Sequence, residues 1–166
     1  TYSPEAVQRA VALTASQPYL LQSLCNRVFR MAGKQKTYSI TMDFVNKAAR
    51  ELIENNRHFD DLWEYAGCDR RRFMLVLCHQ SESRPDVMTL GMIQEKLAES
   101  GIEAHEDMLV ADLEYLCEIE LLRLIGGEAG GHYALAVPLM GIWMETQRDL
   151  TAVRSKARKE AKDNHG

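Results

Sequence analysis

Residues of the types that could bind a phosphate lie at positions 28–35 of this 166-residue chain. A P-loop requires Gly-x-x-x-x-Gly-Lys-Ser/Thr, because backbone amides and the lysine must surround the phosphates. Gly33 and Lys34 fit part of this pattern, but Val28 replaces its first glycine and Gln35 its hydroxyl residue. The stretch "FRMAGKQK" therefore indicates a helix end, and we predict that this chain alone does not hydrolyse ATP.

Two other groups have the right residue types for catalysis but the wrong spacing. The acids of "FDDLWEY" (Asp60, Asp61 and Glu64) have helical spacing, which favours a solvated acidic face over a magnesium site. Cys78 and His79 are adjacent, so on a helix their side chains point about 100° apart and do not form a nucleophile–base pair. We predict no catalytic residue and no metal ligand in this chain.

The four cysteines are far apart and include no Cys-x-x-Cys pair, which argues against a metal knuckle or a redox dithiol. This cysteine usage favours a cytoplasmic protein. The longest apolar run, residues 134–144, is too short to cross a bilayer and contains a proline. Because the sequence begins at Thr1 rather than Met, we expect it to be a domain of a longer protein.

Helix signals dominate the first 66 residues. Ser3-Pro4-Glu5 predicts a helix start, with a hydroxyl cap, proline at the first position and an acid in the first turn. Gln17 precedes a proline, so the chain should turn there, and Pro18 should begin a second helix that ends at Gly33. Thr41 should cap a third helix that continues through "NNRHFDDLWEYAG". These elements predict a helical bundle over residues 1–66.

Apolar spacing predicts which helix faces are buried. The apolar face expected on the first helix comprises Val7, Ala10, Val11 and Thr14. The face expected on the second comprises Leu21, Leu24, Cys25, Val28 and Ala32.

Residues 67–146 follow a different order. Three helices are predicted: the first at 69–80, the second capped by Thr89 and ended by Gly101, and the third at 105–119. Two strands around a turn from Gly126 to Gly131 follow them. Three helices followed by a β-hairpin is the order of a winged helix-turn-helix. A last helix should follow Pro138. The overall fold expected is mainly α, a small helical bundle followed by a winged helix with a short β-hairpin wing.

The C-terminal residues 147–166 form the third predicted region. Residues 151–166 carry five Lys or Arg against two Asp or Glu and few apolar side chains. This composition predicts a basic, flexible tail.

Three stretches resemble the C-terminal lid and winged-helix region of AAA+/STAND-type P-loop ATPases. "LTASQPYLLQSLCNRV" is similar to the lid pattern Gly-x-Pro-Tyr-Leu-Leu-x-x-Leu-Cys. "HFDDLWEYAGCDRRRFMLVL" is similar to the join between lid and winged helix. "GGHYALAVPLMGIWM" is similar to the second wing strand and the Tyr-x-Leu-x-Val-Pro-Leu-x-x-x-Trp segment that follows it. The likeness extends from about residue 3 to about residue 145.

This resemblance implies a site as well as a fold. In STAND relatives the proline of the Gly-x-Pro turn touches the bound nucleotide, a role that would fall here to Pro18, with Gln17 and Tyr19 beside it. A fixed proline ring is a rigid apolar surface, although the residue could equally serve only to start a helix. Ser16 stands where the pattern has glycine.

A second family feature has no counterpart here. Some relatives carry a Met-His-Asp phosphate sensor after the wing, and Ala136-Val137-Pro138 occupies that position. His132 lies earlier, on or near the wing, where a lone histidine is more often exposed or packed than catalytic.

The resemblance implies a non-catalytic regulatory region that helps to close a nucleotide site and relays nucleotide state to partner domains. The fragment itself would need no cofactor, whereas its parent would be an ATPase that binds ATP or ADP with magnesium. The expected partners are the upstream P-loop core of the same chain and a protein effector, with no membrane. A free-standing adaptor that binds only proteins is another possibility.

The alternative from a different class is a winged-helix DNA-binding module of a transcriptional or replication-type regulator. Phosphate contacts from Lys and Arg supply most of the affinity of such modules. The expected groove-reading helix lies in residues 99–122, which contain eight acids and no Lys or Arg. The acids are Glu99, Glu103, Glu106, Asp107, Asp112, Glu114, Glu118 and Glu120. This charge argues against DNA as a partner and leaves either a solvated face or a protein-docking surface.

Two further features leave alternatives open. The run Arg70–Arg72 could form a solvated or ion-paired face, or it could meet an acidic partner or a nucleic-acid backbone. Trp63 and Trp143 would indicate an interdomain interface if exposed, and packing anchors if buried.

Overall fold

The computed structural model describes residues 1–82, 87–127 and 130–164. The protein is mainly helical, with a small two-stranded antiparallel sheet, as the sequence predicts. In chain order the elements are α1 (Pro4–Thr14), α2 (Pro18–Gln35), α3 (Met42–Glu54), α4 (His58–Tyr65), α5 (Asp69–Ser81), α6 (Leu90–Glu99), α7 (Glu106–Glu118), β1 (Leu122–Ile125), β2 (His132–Leu135), α8 (Pro138–Gln147) and α9 (Leu150–Asp163).

The chain divides into two compact units, of which the first comprises Thr1–Phe59 and Val137–Gln147. In this unit α1, α2 and α3 pack against one another, and α8 packs against α1 and α3. A parallel β-bridge between Tyr2 and Ile40 ties the segment before α1 to the segment before α3.

Local side-chain caps define the helix starts. The Ser3 hydroxyl accepts a hydrogen bond from the Ala6 N–H, and the Thr41 hydroxyl accepts one from the Phe44 N–H. In the second unit the Thr89 hydroxyl accepts from the Met92 N–H in the same way. Each hydroxyl satisfies a first-turn donor that has no partner within its helix, and all three predicted caps are confirmed.

Three details of the first unit differ from prediction. In α1, Ala10 and Thr14 are buried as predicted, but Val7 and Val11 are exposed. Ala6 and Leu13 are buried in their place, at positions that recur with Ala10 at helical spacing. The third helix ends at Glu54 rather than continuing, because a break over residues 55–57 separates it from α4. Helix α2 passes Gly33 and ends at Gln35.

The buried face of α2 is also rotated slightly from the predicted one. Leu24 and Val28 are buried as expected. The other core positions of α2 are Leu20 and Met31, whereas Leu21, Cys25 and Ala32 are only half-buried.

The second unit comprises Asp60–Ala136 and the chain from Arg148 onward. Strands β1 and β2 pair antiparallel, with Leu122 opposite Leu135, and β2 packs against α5. The Tyr133 N–H of β2 also donates to the Met88 carbonyl, which lies before α6. Of the predicted glycine turn from Gly126 to Gly131, residues 128 and 129 lie outside the described residues.

The division into units departs from the predicted boundaries at 66/67 and 146/147. Residues 137–147 group with the first unit rather than with the hairpin that precedes them. The reason is a non-local apolar contact: Trp143 of α8 is buried and its ring stacks on Phe59, with 6.3 Å between the ring centroids. Contacts between residues so distant in sequence leave no local pattern to read.

The predicted flexible tail is instead the helix α9. Asp149 caps it by accepting hydrogen bonds from the Thr151 and Ala152 N–H groups. Val153 and Ala157 are buried, and α9 packs along α5. A narrow apolar stripe and one cap are therefore enough to order a segment whose overall composition is basic and polar.

Candidate functional site

The predicted site lies at the turn between α1 and α2, which we call the Pro18 corner (Ala15–Tyr19). Ala15 and Ser16 both adopt left-handed backbone conformations, with φ of 49° and 58°. The Ser16 N–H donates to the Val11 carbonyl at 3.1 Å, and the Gln17 N–H donates to the Thr14 carbonyl at 3.0 Å. These bonds close the end of α1 and direct the chain into Pro18, the first residue of α2.

The three predicted site residues are adjacent at the surface. Pro18 is exposed, Gln17 is half-buried, and the Tyr19 side chain is 57% exposed. Gln17 makes no side-chain cap to α2. The first N–H that bonds within the helix is that of Leu21, which donates to the Gln17 carbonyl, so the N–H groups of Tyr19 and Leu20 have no acceptor within α2. Leu20 is fully buried and anchors the corner to the core. The corner thus combines an apolar ring, a phenol and polar N–H groups at a helix start.

Aromatic packing connects the corner to the core of the first unit. The Tyr19 ring lies 5.2 Å from the His58 imidazole, centroid to centroid, at an interplanar angle of 60°. His58 contacts Phe59 edge-on at 5.7 Å, and Phe59 stacks on Trp143. This row restrains Tyr19 although most of its side chain is exposed. No local sequence pattern indicates the Tyr19–His58 contact, because the two residues lie on different helices.

The conformation of Ser16 leads to a stability prediction. A left-handed conformation costs an L-residue about 1–2 kcal/mol, and glycine avoids this cost while losing more backbone entropy on folding. We expect Ser16→Gly to raise the free energy of unfolding by about 0.5–1 kcal/mol, measured by urea denaturation. Ser39→Gly is the matched control, because Ser39 is exposed and has negative φ. A Ser16→Gly variant no more stable than its control would contradict the left-handed assignment.

Asp112 is the residue that sequence analysis most clearly missed. Its side chain is only 3% exposed, and it accepts hydrogen bonds from Arg70 Nε at 2.7 Å and Arg71 Nε at 2.8 Å. Burial alone would lower the pKa of Arg70, but its hydrogen bond and charge interaction with Asp112 raise that pKa overall. An available signal was the position of Asp112 on the apolar face of α7, beside Leu109 and Leu116.

The other contacts of Arg71 and Arg72 are also internal to the second unit. The Arg71 guanidinium lies 4.1 Å from the centroid of the Tyr115 ring, and the Tyr115 hydroxyl donates to the Tyr65 carbonyl. Arg72 donates to the Trp63 carbonyl and pairs with Asp69. The ion-paired interpretation of Arg70–Arg72 is therefore confirmed.

The exposed face of α7 carries acids and no cation. Glu106, Asp107, Glu114 and Glu118 are all exposed on this helix. This is the surface that a groove-reading helix would present to DNA, and each carboxylate there would repel a phosphate.

Among the remaining chemical candidates, two acids are ion-paired and a cysteine is buried. Asp60 pairs with Arg148 at 3.0 Å and Glu64 with Arg72 at 3.5 Å. Cys78 is fully buried, and burial raises the pKa of its thiol to about 12. Lys34 lies in the last turn of α2, and His132 lies on β2 opposite Ile125.

Three further observations concern the two tryptophans, metal-binding clusters and membrane-spanning helices. Trp63 and Trp143 are both buried, as packing anchors would be. Across residues 1–82, 87–127 and 130–164, no cluster of three or more His, Cys, Asp or Glu could hold a metal ion. In the same ranges, no helix is both long enough and apolar enough to cross a membrane.

Comparison with known proteins gave no match to any family model, any curated protein or any solved structure.

Proposed function

We propose that this chain is the regulatory C-terminal region of an AAA+/STAND-type ATPase, a helical lid followed by a winged helix. In this proposal the first unit covers one side of a nucleotide held mainly by an upstream P-loop core. The second unit passes the nucleotide state to a partner domain. The chain contributes no catalytic residue of its own.

The observation that carries the proposal is the geometry of the Pro18 corner. Pro18 stands exposed at the first position of α2, where its ring has a fixed conformation and its missing N–H costs no hydrogen bond. Tyr19, the next residue of α2, is exposed, and its ring contacts that of His58. A rigid, exposed apolar ring suits contact with a nucleotide base.

Ser16 bears on the same assignment. The family pattern has glycine at this position, and glycine is favoured where φ is positive. Ser16 adopts positive φ here, at 58°. The turn that the pattern requires is therefore compatible with serine, at a modest cost in stability.

The second unit is better suited to a protein partner than to DNA. The order α5, α6, α7 and the β1–β2 hairpin favours the winged-helix DNA-binding alternative, as do the exposed cations of α9. Against it, α7 exposes acids, and Arg70–Arg72 make ion pairs and hydrogen bonds within the unit. We therefore assign the acidic face of α7 to a docking role.

The DNA alternative can be tested by titration with a random-sequence duplex. We expect binding weaker than about 100 µM at physiological salt, because non-specific binding depends on phosphate neutralisation by Lys and Arg. A Glu106→Lys/Asp107→Lys/Glu114→Lys variant is the positive control and should bind more tightly. Submicromolar binding of the unmodified chain at low salt, falling steeply as salt rises, would favour the DNA alternative.

The most economical test of the ATPase assignment is the coding sequence upstream of Thr1. We expect Gly-x-x-x-x-Gly-Lys-Ser/Thr in the same reading frame, with an Asp-ended apolar strand after it to hold magnesium. A start codon just before Thr1 would favour a free-standing adaptor instead. A long upstream region without that lysine would remove the ATPase assignment.

A further inference from the structure

An apolar groove lies at the opposite end of α2 from Pro18. Its volume is about 370 Å³, and it is bounded by the last two turns of α2, the segment that follows and the start of the chain. Its principal lining residues are Tyr2, Val28, Phe29, Gly33, Tyr38 and Ile40.

Two large aromatic side chains form the walls of this groove, and both are unusually exposed. Phe29 is 79% exposed and Tyr38 is 88% exposed, whereas Val28 and Ile40 at the floor are buried. Contiguous exposed apolar surface of this kind commonly marks an interaction site. An aliphatic floor between aromatic walls suits one large apolar side chain of a partner.

Gly33 keeps the groove open. It lies within α2, where glycine costs about 0.5–1 kcal/mol relative to alanine. A Cβ at this position would meet nothing within 4 Å, so packing does not require the glycine. A side chain here would extend into the space between Phe29 and Tyr38.

The charged side chain that lines the groove is that of a lysine, within a basic stretch of the chain. From Ala6 to Met42 the sequence contains five Lys or Arg and no acid. Lys36 lines the groove, while Arg27, Arg30 and Lys34 are spaced three and four residues apart along α2. Within the part of the chain that the structure describes, none of these four cations has an ion pair. By helical spacing Arg27, Arg30 and Lys34 lie on the far side of α2 from the groove, so Lys36 is the cation that an acidic group in the groove would meet.

We propose that this groove binds an acidic peptide segment of a partner protein, anchored by one large apolar side chain. The anchor packs on Val28 and Ile40 between Phe29 and Tyr38, and a neighbouring carboxylate of the peptide pairs with Lys36. Single-stranded nucleic acid fits less well, because it requires a line of cations along the groove and only Lys36 lines it. This inference does not depend on the nucleotide-coupled role of Pro18.

Selection from a displayed library of random twelve-residue peptides against the intact 166-residue chain tests the proposal. Counter-selection uses the Phe29→Ala/Tyr38→Ala variant. We expect enriched peptides to share net negative charge and one aromatic or long aliphatic residue. No groove-dependent enrichment, or enrichment of peptides without net negative charge, would overturn the proposal.

Affinity measurements on one enriched peptide separate the contributions, with fluorescence anisotropy as the readout. We expect at least tenfold weaker binding to Phe29→Ala/Tyr38→Ala and to Gly33→Leu, which fills the groove without removing its walls. Lys36→Asn, which tolerates the left-handed conformation of residue 36, should weaken binding about threefold to tenfold. Tyr65→Ala is the control, an exposed aromatic outside the groove, and should leave the affinity unchanged.

Two competing occupants are distinguished by further measurements. A dT12 oligonucleotide that binds more tightly than the peptide, and loses affinity in the Phe29→Ala/Tyr38→Ala variant, would overturn the proposal in favour of nucleic acid. Sedimentation that shows self-association of the chain, abolished by Gly33→Leu, would overturn it in favour of a second copy. Equal peptide affinity for the unmodified chain and Gly33→Leu would show that the peptide binds elsewhere.

Discussion

Replacing Trp143 with alanine is expected to lower the free energy of unfolding of the first unit by about 4 kcal/mol, since deletion of a buried aromatic side chain typically costs 3–5 kcal/mol. Trp143 is 1% exposed and stacks on Phe59, which is fully buried. Its removal leaves a cavity beneath α8, where that helix packs against α1 and α3.

Native-state hydrogen exchange gives the location of this effect as well as its size. Amides of α1 and α3 should lose more protection than amides of α5 and α9, because α8 belongs to the first unit. Ile142→Ala, on the same helix at a half-buried position, should have less than half the effect. Greater loss of protection in α5–α7 would show that α8 stabilises the second unit, as its position after the hairpin had suggested.

The second large effect is expected for Asp112→Asn, which should destabilise the second unit by about 3 kcal/mol. Removing one partner of a buried ion pair leaves the remaining charge poorly solvated, at a typical cost of 3–5 kcal/mol. The lower end applies because the Arg70 and Arg71 side chains remain 19% and 26% exposed. Two guanidinium groups would then share a neutral amide.

Urea denaturation followed by tryptophan fluorescence measures this loss in a Trp143→Phe background, in which the remaining tryptophan, Trp63, lies in the second unit. Glu114→Gln removes an exposed carboxylate from the same helix and should change the midpoint little. The triple variant Asp112→Leu/Arg70→Met/Arg71→Met should be more stable than Asp112→Asn, because no unpaired charge then remains. If Asp112→Asn behaved like Glu114→Gln, the pairing with Arg70 and Arg71 would be wrong.

Local features of the fold could be predicted from sequence. Ser3, Thr41 and Thr89 each bond to a backbone N–H three residues later, so the signal and its cause lie within one turn. Asp149 caps α9 by the same kind of local bond, and giving it more weight than the basic composition would have predicted that helix.

Non-local features could not be predicted in the same way. Glu160 of α9 accepts hydrogen bonds from the Asp69 and Arg70 N–H groups and so caps α5 from about 90 residues away. The stacking of Phe59 on Trp143 is equally distant and determines the unit to which α8 belongs. No periodicity within either segment specifies such partners.

The candidate site shows the same distinction. That Pro18 begins a helix followed from the proline and its neighbours, whereas the restraint of Tyr19 by His58 depends on two helices packing together. Asp112 could have been recognised as a charge on an apolar face, but its partners Arg70 and Arg71 lie about 40 residues earlier.

The most direct test of the regulatory assignment is the affinity of the full-length parent protein for fluorescent ADP, with Pro18 replaced by alanine. We expect Pro18→Ala to weaken ADP binding about tenfold, through the loss of a rigid base contact. Pro4→Ala is the matched control, because Pro4 is also exposed and occupies the first position of α1. It should leave the affinity unchanged. Equal ADP affinity for the parent, Pro18→Ala and Pro4→Ala would show that Pro18 only starts a helix, and would contradict the nucleotide-coupled role.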